Sequence, residues 1–201
     1  VIGRGDRLLS RQLDKEGSVF FLSLVERAGV RVALNGGLLA IEDGRALLAD
    51  GRAFEAALVI FAAGIKSVLN LAAGPGLATG RGIVVDSAMR SSAENIFAAG
   101  DCAEFQGRVY GVWTASMAQG AVAGANAAGG GRVYQPEQPA YMMNAMGTKI
   151  WSYGNIEAED SVSRKHIAQG AFAKFFFVGN ALAGAELINA NPEMIQVKKA
   201  V

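Results

Sequence analysis

The sequence has one cysteine, Cys102, one histidine, His166, and four prolines. A single cysteine excludes an internal disulfide and suits a reducing compartment, so a cytoplasmic location is expected. No apolar run approaches the roughly 18 residues that a membrane-spanning helix needs. The opening, Val1-Ile2-Gly3-Arg4-Gly5-Asp6, lacks the apolar stretch of a secretion signal. Net charge is nearly absent as well, because 19 basic and 18 acidic residues leave +1. That balance gives no electrostatic footing for nucleic acid or an anionic membrane, and neither is expected as a partner. The chain does not begin with Met but with an apolar Val-Ile pair, as if inside a strand, and a preceding domain is expected.

What the chain does have is apolar residues, 51% of the total, and 26 glycines. The first is enough for a real core. The second marks tight turns and close backbone approaches. Asp14 to Ala28 reads as a helix, with Asp14 as cap, Val19, Leu22, Val25 and Ala28 at spacings of three, and Gly29 as the stop. Val30 to Leu34 alternates like a strand. Asp43-Gly44 and Asp50-Gly51 are hairpin signals that divide Leu38–Glu42, Arg45–Ala49 and Arg52–Ala56 into a small meander. Leu58 to Gly64 is apolar throughout and predicts a strand buried on both faces. Ile83–Val85 is a short strand, and Ile96 to Asp101 a second buried one. Thr114 to Ala128 predicts a helix, with Ser116 and Gln119 as a capping box. Gly129-Gly130-Gly131 marks a linker. Beyond it, Lys149–Tyr153, Ala171–Val178 and Ala181–Ile188 read as strands, the last two joined by Gly179-Asn180, and Asn191-Pro192 starts a helix. Phe172, Phe175, Phe176 and Phe177 belong to the core of that sheet.

The chemistry concentrates between Glu94 and Asn126. An apolar strand delivers Gly100 and Asp101 to its C-terminal edge, where open α/β sheets bind ligands. Gly100 allows close backbone approach, and Asp101 can accept a hydrogen bond from a sugar-alcohol hydroxyl. A helix starting near Thr114 offers free N–H groups and a partial positive charge.

This block resembles the second flavin-binding motif of the pyridine nucleotide-disulfide oxidoreductase family, in which an apolar strand ends in Ala-x-Gly-Asp. The matching residues are Ala98, Ala99, Gly100 and Asp101. An earlier strand ending Ala62-Ala63-Gly64 resembles the family's crossing from its NAD domain back to its FAD domain, and Gly82 to Asp86 and Gly5 to Asp14 also look like family segments. The resemblance implies an α/β chain with an incomplete FAD/NAD(P)-binding fold of two dinucleotide-binding domains, followed by an α+β C-terminal domain. It implies three parts: residues 1–66 as the second half of the NAD(P)-binding domain, 67–131 as the C-terminal part of the FAD-binding domain, and 132–201 as an interface or acceptor-docking domain. It also implies FAD and NAD(P)H as cofactors of the full-length parent, and Ala63, Gly64, Gly100, Asp101, Trp113 and Thr114 as cofactor-binding residues. No catalytic side chain and no metal ligand are assigned. The tail after Gly131, with Lys149 to Gly154, is similar to that of rubredoxin reductases and of NADH-dependent nitrite reductase flavin modules, so the implied acceptor is rubredoxin or another redox protein. Homo-oligomers are expected.

Some family features are missing. Neither Gly-x-Gly-x-x-Gly phosphate loop is present; Gly3-x-Gly5-x-x-Leu8 lacks the third glycine. His166 reads as a surface residue and Cys102 as a small packed one. Trp113 suits either a flavin ring or the core. An alternative to the enzyme reading is a non-catalytic interaction or dimerisation fragment.

Overall fold

A computed structural model describes residues 1–136 and 140–200; residues 137–139 and 201, all within the expected C-terminal domain, lie outside the described residues. In chain order the elements are helix α1 (Lys15–Arg27), strands β1 (Leu38–Glu42), β2 (Arg45–Leu48) and β3 (Ala53–Glu55), helix α2 (Asn70–Ala73), strands β4 (Ile83–Val85) and β5 (Ala103–Phe105), helix α3 (Trp113–Ala127), strands β6 (Ala140–Ala145), β7 (Thr148–Gly154), β8 (Asp160–His166), β9 (Ala171–Val178) and β10 (Ala181–Ile188), and helix α4 (Asn191–Ala200). They fall into two compact units, one formed by Val1–Ile60 with Gln138–Val201 and the other by Phe61–Glu137.

The first unit is built on a five-stranded antiparallel sheet in the order β6-β7-β10-β9-β8. Side chains alternate across its two faces, as strand geometry requires. One face sets Ile150, Phe172 and Ile188 against Phe20, Phe21 and Val25 of α1. The rings of Phe20 and Phe172 stack with centroids 5.4 Å apart. The opposite face sets Trp151, Ala173 and Leu187 against Val197 of α4. Asp14 caps α1 by accepting the Gly17 N–H at 2.8 Å, and Gly29 closes it at φ +81°. One row on the α1-facing side is not apolar: Ser152, Glu186, Lys174 and Ser163 stand in register across β7, β10, β9 and β8. The meander β1-β2-β3 forms as expected, and its first turn has both Asp43 and Gly44 at positive φ, the conformation that matches strand twist.

The second unit is smaller. β4 and β5 pair in parallel. Val85, Met89, Ala103 and Phe105 form its core with Val122 and Ala123 of α3. Asn126 secures the far end of α3, donating to the carbonyls of Ala88 and Arg132 and accepting from the Arg132 N–H.

Four local expectations are corrected. Leu58 to Gly64 is irregular and outward-facing, with Ile60 81% exposed, because no strand among the described residues pairs with it. A continuous apolar run becomes a buried strand only if neighbours satisfy its backbone and cover its faces. Val30 to Leu34 makes only an isolated bridge, between Ala33 and Ile2, and Ile96 to Ala99 makes only the bridge between Phe97 and Arg90. Ser116 and Gln119 form no capping box: α3 begins earlier, after Val112, and both side chains make longer-range bonds instead. No helix among the described residues is long and apolar enough to cross a membrane.

Candidate functional site

The chain leaves Ala99 extended and enters a short 3-10 turn at Gly100–Cys102. Gly100 has φ +78°, a left-handed value that costs glycine little and other residues more. A Cβ there would lie 3.4 Å from Cβ and Oγ of Ser116, so α3 passes at van der Waals distance. The Gly100 N–H donates to Oε1 of Gln119 at 2.8 Å. Gln119 is buried on the core-facing side of α3, and its Nε2 has no hydrogen-bond partner among the described residues.

Asp101 follows with its side chain exposed. Its carbonyl accepts from Ser67 Oγ at 2.6 Å, and Ser116 Oγ stands 3.5 Å from its Oδ1. The backbone of Asp101 is thus held from one side while the carboxylate stays open to a ligand. Helix α3 begins close by. Its N-cap, Val112, makes no side-chain hydrogen bond, and its first turn carries no acidic residue. Those N–H groups and the positive end of the helix dipole therefore meet no side-chain cap from Val112 and no acid within the helix's own first turn.

Trp113 and Thr114 open this helix and both face outward. Trp113 is 80% exposed, so it does not fill the core of the described chain. Ala63 and Gly64 are exposed, with Gly64 at φ +85° and open space where a Cβ would stand. The segment that carries them is fastened to the same region twice. Ser67 reaches Asp101, and Ile65 lies where a Cβ on Gly111 would come within 3.0 Å. The structure therefore gathers Gly100, Asp101, Ser116, Gln119 and Ser67 around one turn, with Trp113 and Thr114 at the start of the adjoining helix. No hydrogen bond is described between Ala63 or Gly64 and that group. Cys102 is half-buried against the core, with Sγ 3.3 Å from the Ala99 carbonyl, and His166 lies exposed on β8. Among the described residues no cluster of three or more histidine, cysteine, aspartate or glutamate side chains is arranged to hold a metal ion.

Sequence reasoning missed Ser67 and assigned Gln119 the wrong partner. Both act through bonds to distant positions, 34 and 19 residues away, which no periodic pattern announces.

The chain resembles known proteins in sequence and in fold. The chain is 30% identical over 195 residues to the assimilatory nitrate reductase electron transfer subunit of Bacillus subtilis, spanning 93% of this chain and 25% of that protein. It is 33% identical over 149 residues to the NADH-rubredoxin oxidoreductase of Clostridium acetobutylicum, spanning 74% and 37%. Among solved structures, a ferredoxin reductase from Rhodopseudomonas palustris superposes with a TM-score of 0.80 at 25% identity, covering 97% of this chain and 51% of that one. The chain thus spans from a quarter to about half the length of these relatives. The family model described as pyridine nucleotide-disulphide oxidoreductase matches residues 1–120, which include Gly100, Asp101 and the start of α3, and the chain belongs to that family.

Proposed function

We propose that this chain forms part of a flavoprotein oxidoreductase that takes hydride from NAD(P)H onto FAD and passes electrons to a redox protein. One observation carries the reading: an exposed Asp101 carboxylate beside an uncapped helix N-terminus, on a turn whose glycine keeps the backbone bare. The residues present fit the cofactor. Asp101 offers an acceptor for a ribityl hydroxyl, and the first N–H groups of α3 offer donors and a positive dipole end for an anionic ring edge. FAD, when bound, supplies acceptance of a hydride and its release as single electrons or a pair. The chain's own residues position and polarise. Gln119 and Ser67 hold the turn at Gly100 and Asp101, and the α3 N-terminus favours negative charge nearby.

The relatives' names support the acceptor class. One is an NADH-rubredoxin oxidoreductase and another a nitrate reductase electron transfer subunit. Rubredoxin or a similar small redox protein is therefore the proposed partner, in a reducing, cytoplasmic setting. The exposed apolar side chains of the second unit, with Leu71 91% and Val68 78% exposed, favour coverage by further polypeptide or by a second copy.

Asp101→Ala in the whole protein is expected to weaken FAD retention about 10- to 150-fold, because a charge-assisted hydrogen bond worth roughly 1.5–3 kcal/mol is lost. Flavin absorbance after gel filtration, read beside the circular dichroism of the same sample, measures this. Full flavin content in a folded variant would remove Asp101 from the site. The 201-residue chain supplied alone with FAD and NADH or NADPH is expected not to reduce a dye, since it contains no complete Gly-x-Gly-x-x-Gly loop. Steady turnover by the chain alone would overturn the assignment of nucleotide binding to other sequence.

A further inference from the structure

The polar row under α1 contains a buried acid. Glu186 is 0% exposed, in the middle strand of the sheet. Its Oε1 accepts the Asp14 N–H at 2.5 Å, and its Oε2 has no partner among the described residues. The carboxyl fits only because residue 17 is glycine; a Cβ there would overlap Oε2 and come within 3.3 Å of the Phe172 ring. The first turn of α1 is therefore seated directly on this acid.

The charged groups facing it come from every element packed there. From α1 come Asp14 and Glu16, and from β9 comes Lys174, which donates to Asp14 at 2.6 Å and to Glu16 at 3.0 Å. From β8, Lys165 reaches Glu16 at 2.8 Å and Ser163 donates to it at 3.1 Å. From β7, the residue in register is the uncharged, buried Ser152. Arg7, Lys15, Glu157 and Glu159 line the cavity of about 340 Å³ that opens beside Asp14 and Lys174. Lys174 is thus committed to two other carboxylates, and Glu186 has a single backbone donor. Burial pushes the Glu186 carboxyl from 4.5 up to about 8, and the neighbouring Asp14 carboxylate pushes the same way. Glu16 moves oppositely, to about 2, chiefly because Lys165 bonds to it, with burial opposing and Lys174 and Ser163 assisting.

We propose that Glu186 is a proton-operated latch: protonated, it seats the first turn of α1 on the sheet, and ionised, it releases that turn. A carboxylate at this position would be anhydrous, would face Asp14, and would have one N–H to answer it. The first turn can yield without the rest of the helix, because Phe20, Phe21 and Val25 hold the later turns to the apolar face.

The direction follows from linkage. The seated state holds the proton more tightly than the released one, so the latch is complete below the ordinary pKa of about 4.5 and is lost as pH rises through about 8. Between those values the opening constant of the first turn rises by up to about tenfold per pH unit. Hydrogen exchange of the α1 amides in the intact protein, corrected for intrinsic chemistry and followed from pH 5 to 9, reads that slope. Glu186→Gln keeps the shape and cannot ionise; its first turn is expected to exchange at a corrected rate independent of pH. Asp14→Asn keeps a capping side chain and removes the facing anion; the upper end of its window is expected to move to lower pH, a readout that remains if the Gln variant fails to fold. A Glu186→Gln protein with the wild-type slope, or an Asp14→Asn protein with an unmoved window, overturns the latch.

Discussion

Gly184→Val is expected to destabilise the first unit by at least about 4 kcal/mol, more than an ordinary substitution costs. Gly184 is buried in β10, opposite Gly154 of β7. A Cβ at 184 would overlap the Asn155 carbonyl and stand 2.9 Å from the Tyr153 carbonyl oxygen. These obstacles are backbone atoms, so no rotamer change relieves them. The strands would have to part where β10 already shifts register against β9, between Leu182 and Gly184, and where the Asn155 N–H donates to the Ala183 carbonyl at 2.8 Å. Two ladders on the central strand would be lost together. Urea unfolding followed by far-ultraviolet circular dichroism measures the loss. A midpoint shift equivalent to less than about 1 kcal/mol would show that the β7–β10 pairing opens at this point without cost.

Phe172→Ala should cost about 3–5 kcal/mol, the range for deleting a large aromatic side chain from a core that cannot collapse onto the gap. Phe172 is 1% exposed, lies in register with Ile188, and stacks on Phe20. Its neighbours are fixed by strand pairing on one side and by the capped helix on the other, so little relaxation is available. The same variant reports on cooperativity. If α1 and the sheet unfold as one body, the circular dichroism and the intrinsic tyrosine and tryptophan fluorescence should fall together at a lower urea concentration. Two separated transitions would mean that the helix is held by something other than this contact. A double-mutant cycle with Phe20→Ala should return about 0.5–1.5 kcal/mol for the ring pair itself.

The parts of the fold legible in the sequence are those whose signals are local. The β9–β10 hairpin follows from two apolar runs and a Gly-Asn turn. The start of α1 follows from an aspartate three residues before the glycine whose N–H it accepts. The meander follows from two Asp-Gly pairs. β8 was not legible: Asp-Ser-Val-Ser-Arg-Lys-His has no apolar alternation, because every residue of this edge strand is exposed and only its ladder with β9 makes it a strand. The run from Leu58 was misread for the opposite reason, since its composition promised burial that no strand among the described residues provides. At the candidate site, the turn at Gly100 and Asp101 stands out in the sequence through a motif. Ser67 and Gln119 do not, because a lone polar side chain does not disclose which distant backbone group it will reach. Glu186 was hidden in the same way, inside a strand whose apolar character was its only visible signal.

The interleaving of the two units also imposes a timetable on synthesis. Asp14 and Glu186 meet across 172 positions, and the whole second unit is made between them. At roughly 5–20 residues per second, the apolar face of α1 waits about 8–34 s for the strands that will cover it. During that interval Phe20 and Phe21 are available to any apolar surface they encounter. The second unit is contiguous in sequence and can mature in the meantime. The nascent chain therefore has a chaperone-sensitive period that ends only when β9 and β10 emerge, and a pause in translation before Ala171 would lengthen it.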